Sequence, residues 1–376
     1  LLMSTPNPLS IAAHFDTLSD PRISRKTEHK LLDIIVIAIS AVICHADDWV
    51  SIAAFGRAKK AWFRQFLELP NGIPSHDTFN RVFARLSPTG FQTCFANWVR
   101  SLSGAYAGLI AVDGKRLRRS HDRAADKSAI HLVSAWAVDN ALVLGQVKTD
   151  EKSNEITAIP QLLELLALEG CLVTIDAMGC QKPIAQTIID RGGDYVLALK
   201  GNQRGLQDRV LTAFETAEEA AFKGYTVDTL ETKDVGHGRT EIRRYCVLGT
   251  QGVLEALGWA GLNMIGVVEA ERTEQGKTSL EMRYYIGSIP PQAALFAKAV
   301  RGHWGIENSL HWVLDVAFRE DECRVRKGYG AENLAVLRHI ALNAVKQEKT
   351  AKLGVKNKRL RAGWDEPYLA KILAGI

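Results

Sequence analysis

The spacing of apolar residues changes character near residue 105. Before it, apolar positions recur at helical intervals: Leu31 to Ala46 is apolar almost throughout, and Trp49 to Leu69 repeats them through Ile52, Phe55, Trp62, Phe63 and Phe66. Pro70-Asn71-Gly72 breaks that run, and Ser75 is placed to cap a short helix carrying Thr78 to Arg85. Beyond 105 the pattern predicts strands. Leu109 to Asp113 is one, and Ala129 to Val138 with Ala141 to Thr149 forms a hairpin about Asp139-Asn140. A helix from Ile156 to Leu168, a strand ending at Asp176, a helix through Ile184 to Ile189 and a strand from Asp194 to Lys200 follow. This order predicts an α/β mixed sheet with helices on its faces. Residues 201–300 then read as a mostly β insertion, with strands at Arg239 to Leu248, Met264 to Arg272 and Ser279 to Ile286 and an exit at Pro290-Pro291. A helix bearing Glu307, another from Ala331 to Val345 and a basic tail complete residues 301–376. The expected division is a helical N-terminal domain over 1–105 and an α/β domain over 106–376.

Three acids fall at marked places in this pattern. Asp113 and Asp176 each close an apolar strand, and Glu307 borders the apolar stripe of its helix. If the fold brings them within about 5 Å, each pair repels by roughly 3 kcal/mol at an effective dielectric near 20, so a cation or bound protons must accompany them. Oxygen ligands favour Mg²⁺ or Mn²⁺. His303, Glu307 and His311 are spaced i, i+4, i+8 on one helix face, which leaves a histidine-containing zinc site as the alternative, and Glu320, Asp321 and Glu322 are alternative third acids.

Charge sharpens this picture only moderately. The 376 residues carry a net +5, a mild fit to a polyanionic partner, and 47% are hydrophobic, enough for a substantial core. Basic residues cluster at Lys115 to Arg119, at Arg324 to Lys327, and at Lys352, Lys356, Lys358, Arg359 and Arg361. The Ser75-capped helix presents Asn80, Arg81 and Arg85 after a turn, as a helix-turn-helix unit reading double-stranded DNA would. Six cysteines without a Cys-x-x-Cys pair suggest neither a disulfide framework nor a cysteine zinc site, and fit a reducing cytoplasm. The longest apolar stretch, Leu31 to Cys44, is too short to span a bilayer and reads as a core helix.

Val112-Asp113-Gly114-Lys115, Ile175 to Gln181, Asp194 to Gln203 and His303 to Trp312 together resemble bacterial insertion-sequence transposases of the Asp-Asp-Glu (DDE) type, in the H-repeat-associated group. The likeness extends over nearly the whole chain, including Ala46 to Trp49 and Pro74 to Phe79. It implies a ribonuclease-H-like core with Asp113 on the first strand, Asp176 on the fourth and Glu307 on a late helix beyond an insertion. It further implies that the protein cuts DNA at the ends of its own element and joins them to target DNA, assembled as a homodimer on the terminal inverted repeats, in the bacterial cytoplasm at the nucleoid. Two Mg²⁺ or Mn²⁺ ions about 3.5 to 4 Å apart would serve that chemistry, bridged by Asp113 with Asp176 and Glu307 each holding one. Lys115, Lys200, Asn202, Arg239, Arg301 and His303 then become candidate phosphate contacts. Trp304 is expected as a buried aromatic, with stacking on an unpaired base as the other reading. Many related transposases carry a Tyr, Arg, Glu, Lys signature around the glutamate. Here the flanking positions are Val300, His303 and Leu314, so a histidine stands where the arginine would. A nuclease relic without transposition and a catalytically silent DNA-binding protein are the competing readings.

Overall fold

Leu109, Ile110, Ala111 and Val112 are all buried, as a strand covered on both faces requires, and the architecture is built outward from them. The computed structural model describes residues 11–23, 27–103, 106–121, 128–149, 155–236, 238–250 and 258–374. Five helices come first: α1 (Leu31–Ile43), α2 (Trp49–Ala58), α3 (Lys60–Phe63), α4 (His76–Phe83) and α5 (Pro88–Ser103). Strands β1 (Leu109–Arg116), β2 (His131–Ala137) and β3 (Leu142–Lys148) lead into α6 (Glu155–Glu164), β4 (Leu172–Ile175), α7 (Lys182–Asp190), β5 (Asp194–Leu199) and α8 (Arg204–Glu219). Four long strands follow, β6 (Val227–Gly236), β7 (Arg239–Gly249), β8 (Met264–Glu274) and β9 (Lys277–Gly287). The chain closes with α9 (Ala293–Ile306), α10 (Trp312–Phe318), α11 (Gly330–Gln347), α12 (Val355–Trp364) and α13 (Glu366–Ala374).

The nine strands among the described residues form one sheet in the order β3-β2-β1-β4-β5-β9-β8-β7-β6. The first five are ribonuclease-H-like: β1, β2 and β3 are antiparallel neighbours, whereas β4 and β5 add in parallel, the direction that α6 and α7 supply as crossovers. The β-rich stretch therefore continues the core sheet, through β9 paired antiparallel to β5. The Asp139-Asn140 hairpin, the Ser75 cap (Oγ accepting from the Thr78 amide at 3.2 Å) and α9 all stand as the pattern predicts. Four elements were not anticipated: α8, β6, and the helices α12 and α13 where a basic tail was expected. The expected Trp49–Leu69 helix is broken at Lys59, after which Trp62 and Phe63 turn inward on α3.

Alternation along the strands divides the sheet. Leu109, Ala111 and Asp113 face α9, while Ile110 and Val112 face α6, and Ala111 pairs with Thr174 on β4 so that Asp176 shares the α9 side. Helix α9 lies close against β1 because Gly302 meets Leu109: a Cβ there would come 2.0 Å from Leu109 Cδ2. Replacing Gly302 with Val should cost about 1–3 kcal/mol by overpacking, read as a lowered urea midpoint. An unchanged midpoint would show that Leu109 can yield. On the other face, α1 is buried from Asp33 to Ile43 and is covered by α2 and by α11, α12 and α13, so the N-terminal helices and the chain's last helices share one core.

Candidate active site

Asp113, Asp176 and Glu307 line one cavity of about 410 Å³ where the parallel pairing of β1 with β4 ends, at Val112 and Ile175, the end of a parallel sheet where ligands bind. Thr174, Lys200, Glu281, Arg283, Tyr285, His303 and Trp304 complete much of its wall. Asp113 Oδ1 accepts from the Gly114 amide at 2.8 Å, and Asp176 Oδ1 accepts from the Met178 amide at 3.0 Å, capping a 3₁₀ turn over Ala177–Gly179. Glu307 opens a π-helical turn, Glu307–His311, between α9 and α10. Such turns are insertions into an α-helix and concentrate at functional sites. Through it His311, 4% exposed, presents Nδ1 at 3.2 Å from Glu307 Oε2 and 3.5 Å from Asp113 Oδ2.

Electrostatics mark the cavity as short of positive charge. Burial pushes the Asp113 carboxyl up to about 7, with the charges of Asp176, Glu155 and Glu307 adding to it. Asp176 is raised as well, by burial and then by Glu155, against a lowering pull from Lys200. Glu155 is a fourth carboxylate that the sequence reading missed. It is the first residue of α6, packs over Gly114 on the other face of β1, adds its charge to that of Asp113 and Asp176, and lies 2.8 Å from His131 Nε2. Only glycine at 114 admits it, since a Cβ there would fall 2.1 Å from Glu155 Oε1. One acid at a helix start carries no signal of its own. The absent side chain at Gly114, next to Asp113, was the available hint.

The donor set fits a divalent cation. Among the described residues, Asp113, Glu307 and His311 offer ligand atoms all within 4.8 Å of one another. His303 is not among them, its Nδ1 lying 3.1 Å from Thr174 Oγ1, so the three-residue His303, Glu307, His311 zinc site is not formed. Burial also pushes His303 down to about 4, which leaves a neutral ring facing the cavity. Lys115 is corrected as a phosphate contact: its ammonium is half-buried and bonds Asp315, Glu320 Oε2 (3.0 Å) and the His311 carbonyl (3.4 Å), tying β1 to α10. Glu320, Asp321 and Glu322 are engaged by Lys115, Arg118 and Arg319, so none of them replaces Glu307.

The remaining candidates spread over three places. Lys200 is exposed on the cavity rim, and Asn202 Nδ2 donates to the Ala177 carbonyl at 2.7 Å, bracing the turn after Asp176. Arg239 and Arg301 border a second groove that shares Glu281, Arg283, Tyr285, Val300 and Trp304 with the acidic cavity. Trp304 is 45% exposed beneath the Arg283 guanidinium, 4.9 Å from its ring centre, so the buried placement expected for it is wrong. Arg81 and Arg85 are exposed and Asn80 partly so on or just beyond α4, outside both grooves. Val300 and Leu314 are buried and apolar, and supply neither a hydroxyl nor an ammonium.

Residues 106–344 match the family described as "Transposase DDE domain", and residues 12–99 match the one described as "DDE_Tnp_1-associated". The chain belongs to the DDE transposases. It is 42% identical over 369 residues to "H repeat-associated putative transposase YhhI" of Escherichia coli strain K12, covering 96% of this chain and 97% of that one. It is 41% identical over 371 residues to "Putative transposase YncI" of Escherichia coli O157:H7, covering 97% and 94%. Among solved structures, a piggyBac transposase synaptic complex with hairpin DNA matches 98% of this chain and 82% of that chain, at 12% identity and a TM-score of 0.44. Divalent-metal use and DNA as the partner follow from membership of this transposase family. No helix among the described residues is long and apolar enough to cross a membrane.

Proposed function

We propose that this transposase cuts DNA at the ends of its own element and joins those ends to target DNA at the cavity of Asp113, Asp176 and Glu307. The observation that carries this is the convergence of acids from β1, β4 and the α9–α10 junction on one cavity, where burial and mutual repulsion hold the Asp113 carboxyl near 7 until positive charge arrives. Divalent cations held by these acids and His311 would polarise the scissile phosphate and stabilise the departing oxygen. The chain's own part is to grip and aim. Asp113 and Asp176 are fixed by amide hydrogen bonds just past the β1–β4 pairing, Glu307 and His311 by the π turn. Lys200 and Arg283 on the wall offer the phosphate its counter-charge. An attacking oxygen, from water in cutting and from a 3′-hydroxyl in joining, forms a new P–O bond as the old P–O3′ bond breaks; its proton passes to solvent and the departing oxygen takes one up. The arginine-bearing groove beside the cavity carries the strand toward the scissile phosphate, its carboxylate partners yielding to phosphates, while Arg81 and Arg85 on the separate α4 surface read sequence.

The test uses the full chain and a duplex bearing the terminal repeat. Cleavage and strand transfer should appear with Mg²⁺ or Mn²⁺, and Ca²⁺ should support binding with little cutting. Cutting without strand transfer would favour the nuclease relic, and binding with no cutting under any metal would favour the silent DNA-binding protein. Recovery of metal-stripped protein by Zn²⁺ alone would overturn the oxygen-ligand reading.

A further inference from the structure

We infer that His303 is a further catalytic residue, whose Nε2 lone pair receives the hydrogen bond of the attacking hydroxyl and so aims that oxygen at the scissile phosphate. The inference rests on the reading of the acidic cavity as the site of strand cleavage. It starts from the direction of one proton. The Thr174 hydroxyl donates to the Ile110 carbonyl at 3.4 Å, so its oxygen is free to accept, and His303 Nδ1 meets that oxygen at 3.1 Å. Nδ1 therefore carries the ring proton. In a neutral imidazole Nε2 is then bare and can only accept.

Placement gives that lone pair its use. Gly302 lets α9 lie against β1, which sets His303 over β4 one strand step before Asp176, with the ring on the cavity wall. Val196, Ala198, Val300 and Ile306 line the same cavity, and burial keeps the ring unprotonated. A bare acceptor is unsuited to phosphate oxygens, which are acceptors themselves, and suited to a hydroxyl. Water and a 3′-hydroxyl are the two hydroxyls that transposition brings to this cavity, so one residue serves both steps.

The experiment compares His303→Leu, which keeps much of the bulk without the acceptor, with His303→Gln, which restores one, and with His303→Ala. Single-turnover cleavage should fall roughly 100-fold in the Leu variant, the size of effect that misplaced reacting atoms produce. The Gln variant should recover part of that loss, and imidazole added to the Ala variant should do the same. Mn²⁺ affinity by calorimetry should stay within about twofold throughout, and ¹⁵N shifts of wild-type His303 should place the proton on Nδ1. Wild-type cleavage in the Leu variant, a proton on Nε2, or a fall in Mn²⁺ affinity matching the fall in rate would each overturn the inference. Asp113→Ala, run alongside, separates the two levels: full cleavage in that variant would sink the reading of the cavity itself.

Discussion

Asp113→Asn should lose strand cleavage by about 10³-fold or more and yet yield a more stable protein when divalent metal is removed. The two effects share one cause. The Asp113 carboxyl sits near 7 against an ordinary value of 3.8, raised by burial and then by Asp176, Glu155 and Glu307. A carboxyl raised in the folded state is cheapest to keep when protonated, so the folded protein loses stability as pH climbs from about 4 through about 7 and carries the whole penalty above that. Three units correspond to about 4 kcal/mol, and the partial exposure of the side chain reduces this to roughly 2–3 kcal/mol. Asparagine has no such penalty. Urea midpoints in EDTA should therefore favour the variant at pH 8 and converge at pH 4, and Mg²⁺ should narrow the gap at pH 8 by raising the wild type alone. A wild type more stable than Asp113→Asn at pH 8 without metal would remove the case for a charge-deficient site.

Arg359→Ala should destabilise the fold by about 3–5 kcal/mol, the range for leaving buried partners of a removed charge unpaired. Arg359 was read as part of a basic tail, but it is fully buried on α12. Its guanidinium bonds the Val42 carbonyl near the end of α1 (2.8 Å), the Ala317 carbonyl near the end of α10 and Asp47 Oδ1 (2.7 Å), and lies 3.8 Å from the Phe318 ring centre. Removing it leaves two helix-terminal carbonyls and one carboxylate without their cation. Its neighbour Lys358 is buried as well, paired with Glu348, whereas Arg361 stays at the surface beside Asp365. Arg361→Ala should leave the melting temperature nearly unchanged. Equal melting of Arg359→Ala and wild type would show that water can replace the guanidinium at both helix ends.

The acids were legible because each sits where the apolar pattern stops. A strand buried on both faces is a continuous apolar run, and a carboxylate closing such a run at the sheet's end has few other reasons to be there. What remained hidden depends on partners remote in the chain. β6 shows no apolar alternation and exposes most of its residues; it is a strand because β7 pairs with it at every position. Lys358 and Arg359 read as solvated because charge usually is, and their partners Glu348 and Asp47 cannot be recognised from composition. The π turn is invisible to any argument from a 3.6-residue period, so His303 and His311 looked equivalent on one face when one is bonded to Thr174 and the other to Glu307.

Helix α1 poses a problem of timing for the ribosome. Its flanks are apolar all round, and the helices that cover it, α11 to α13, begin at residue 330. At bacterial elongation rates the interval between the emergence of α1 and that of its cover is on the order of tens of seconds. Throughout that interval the nascent chain exposes a sticky rod that folding cannot yet hide. Chains released before residue 330 keep it exposed for good, so truncated copies of the gene should make proteins that chaperones hold and proteases clear rather than proteins that compete for DNA.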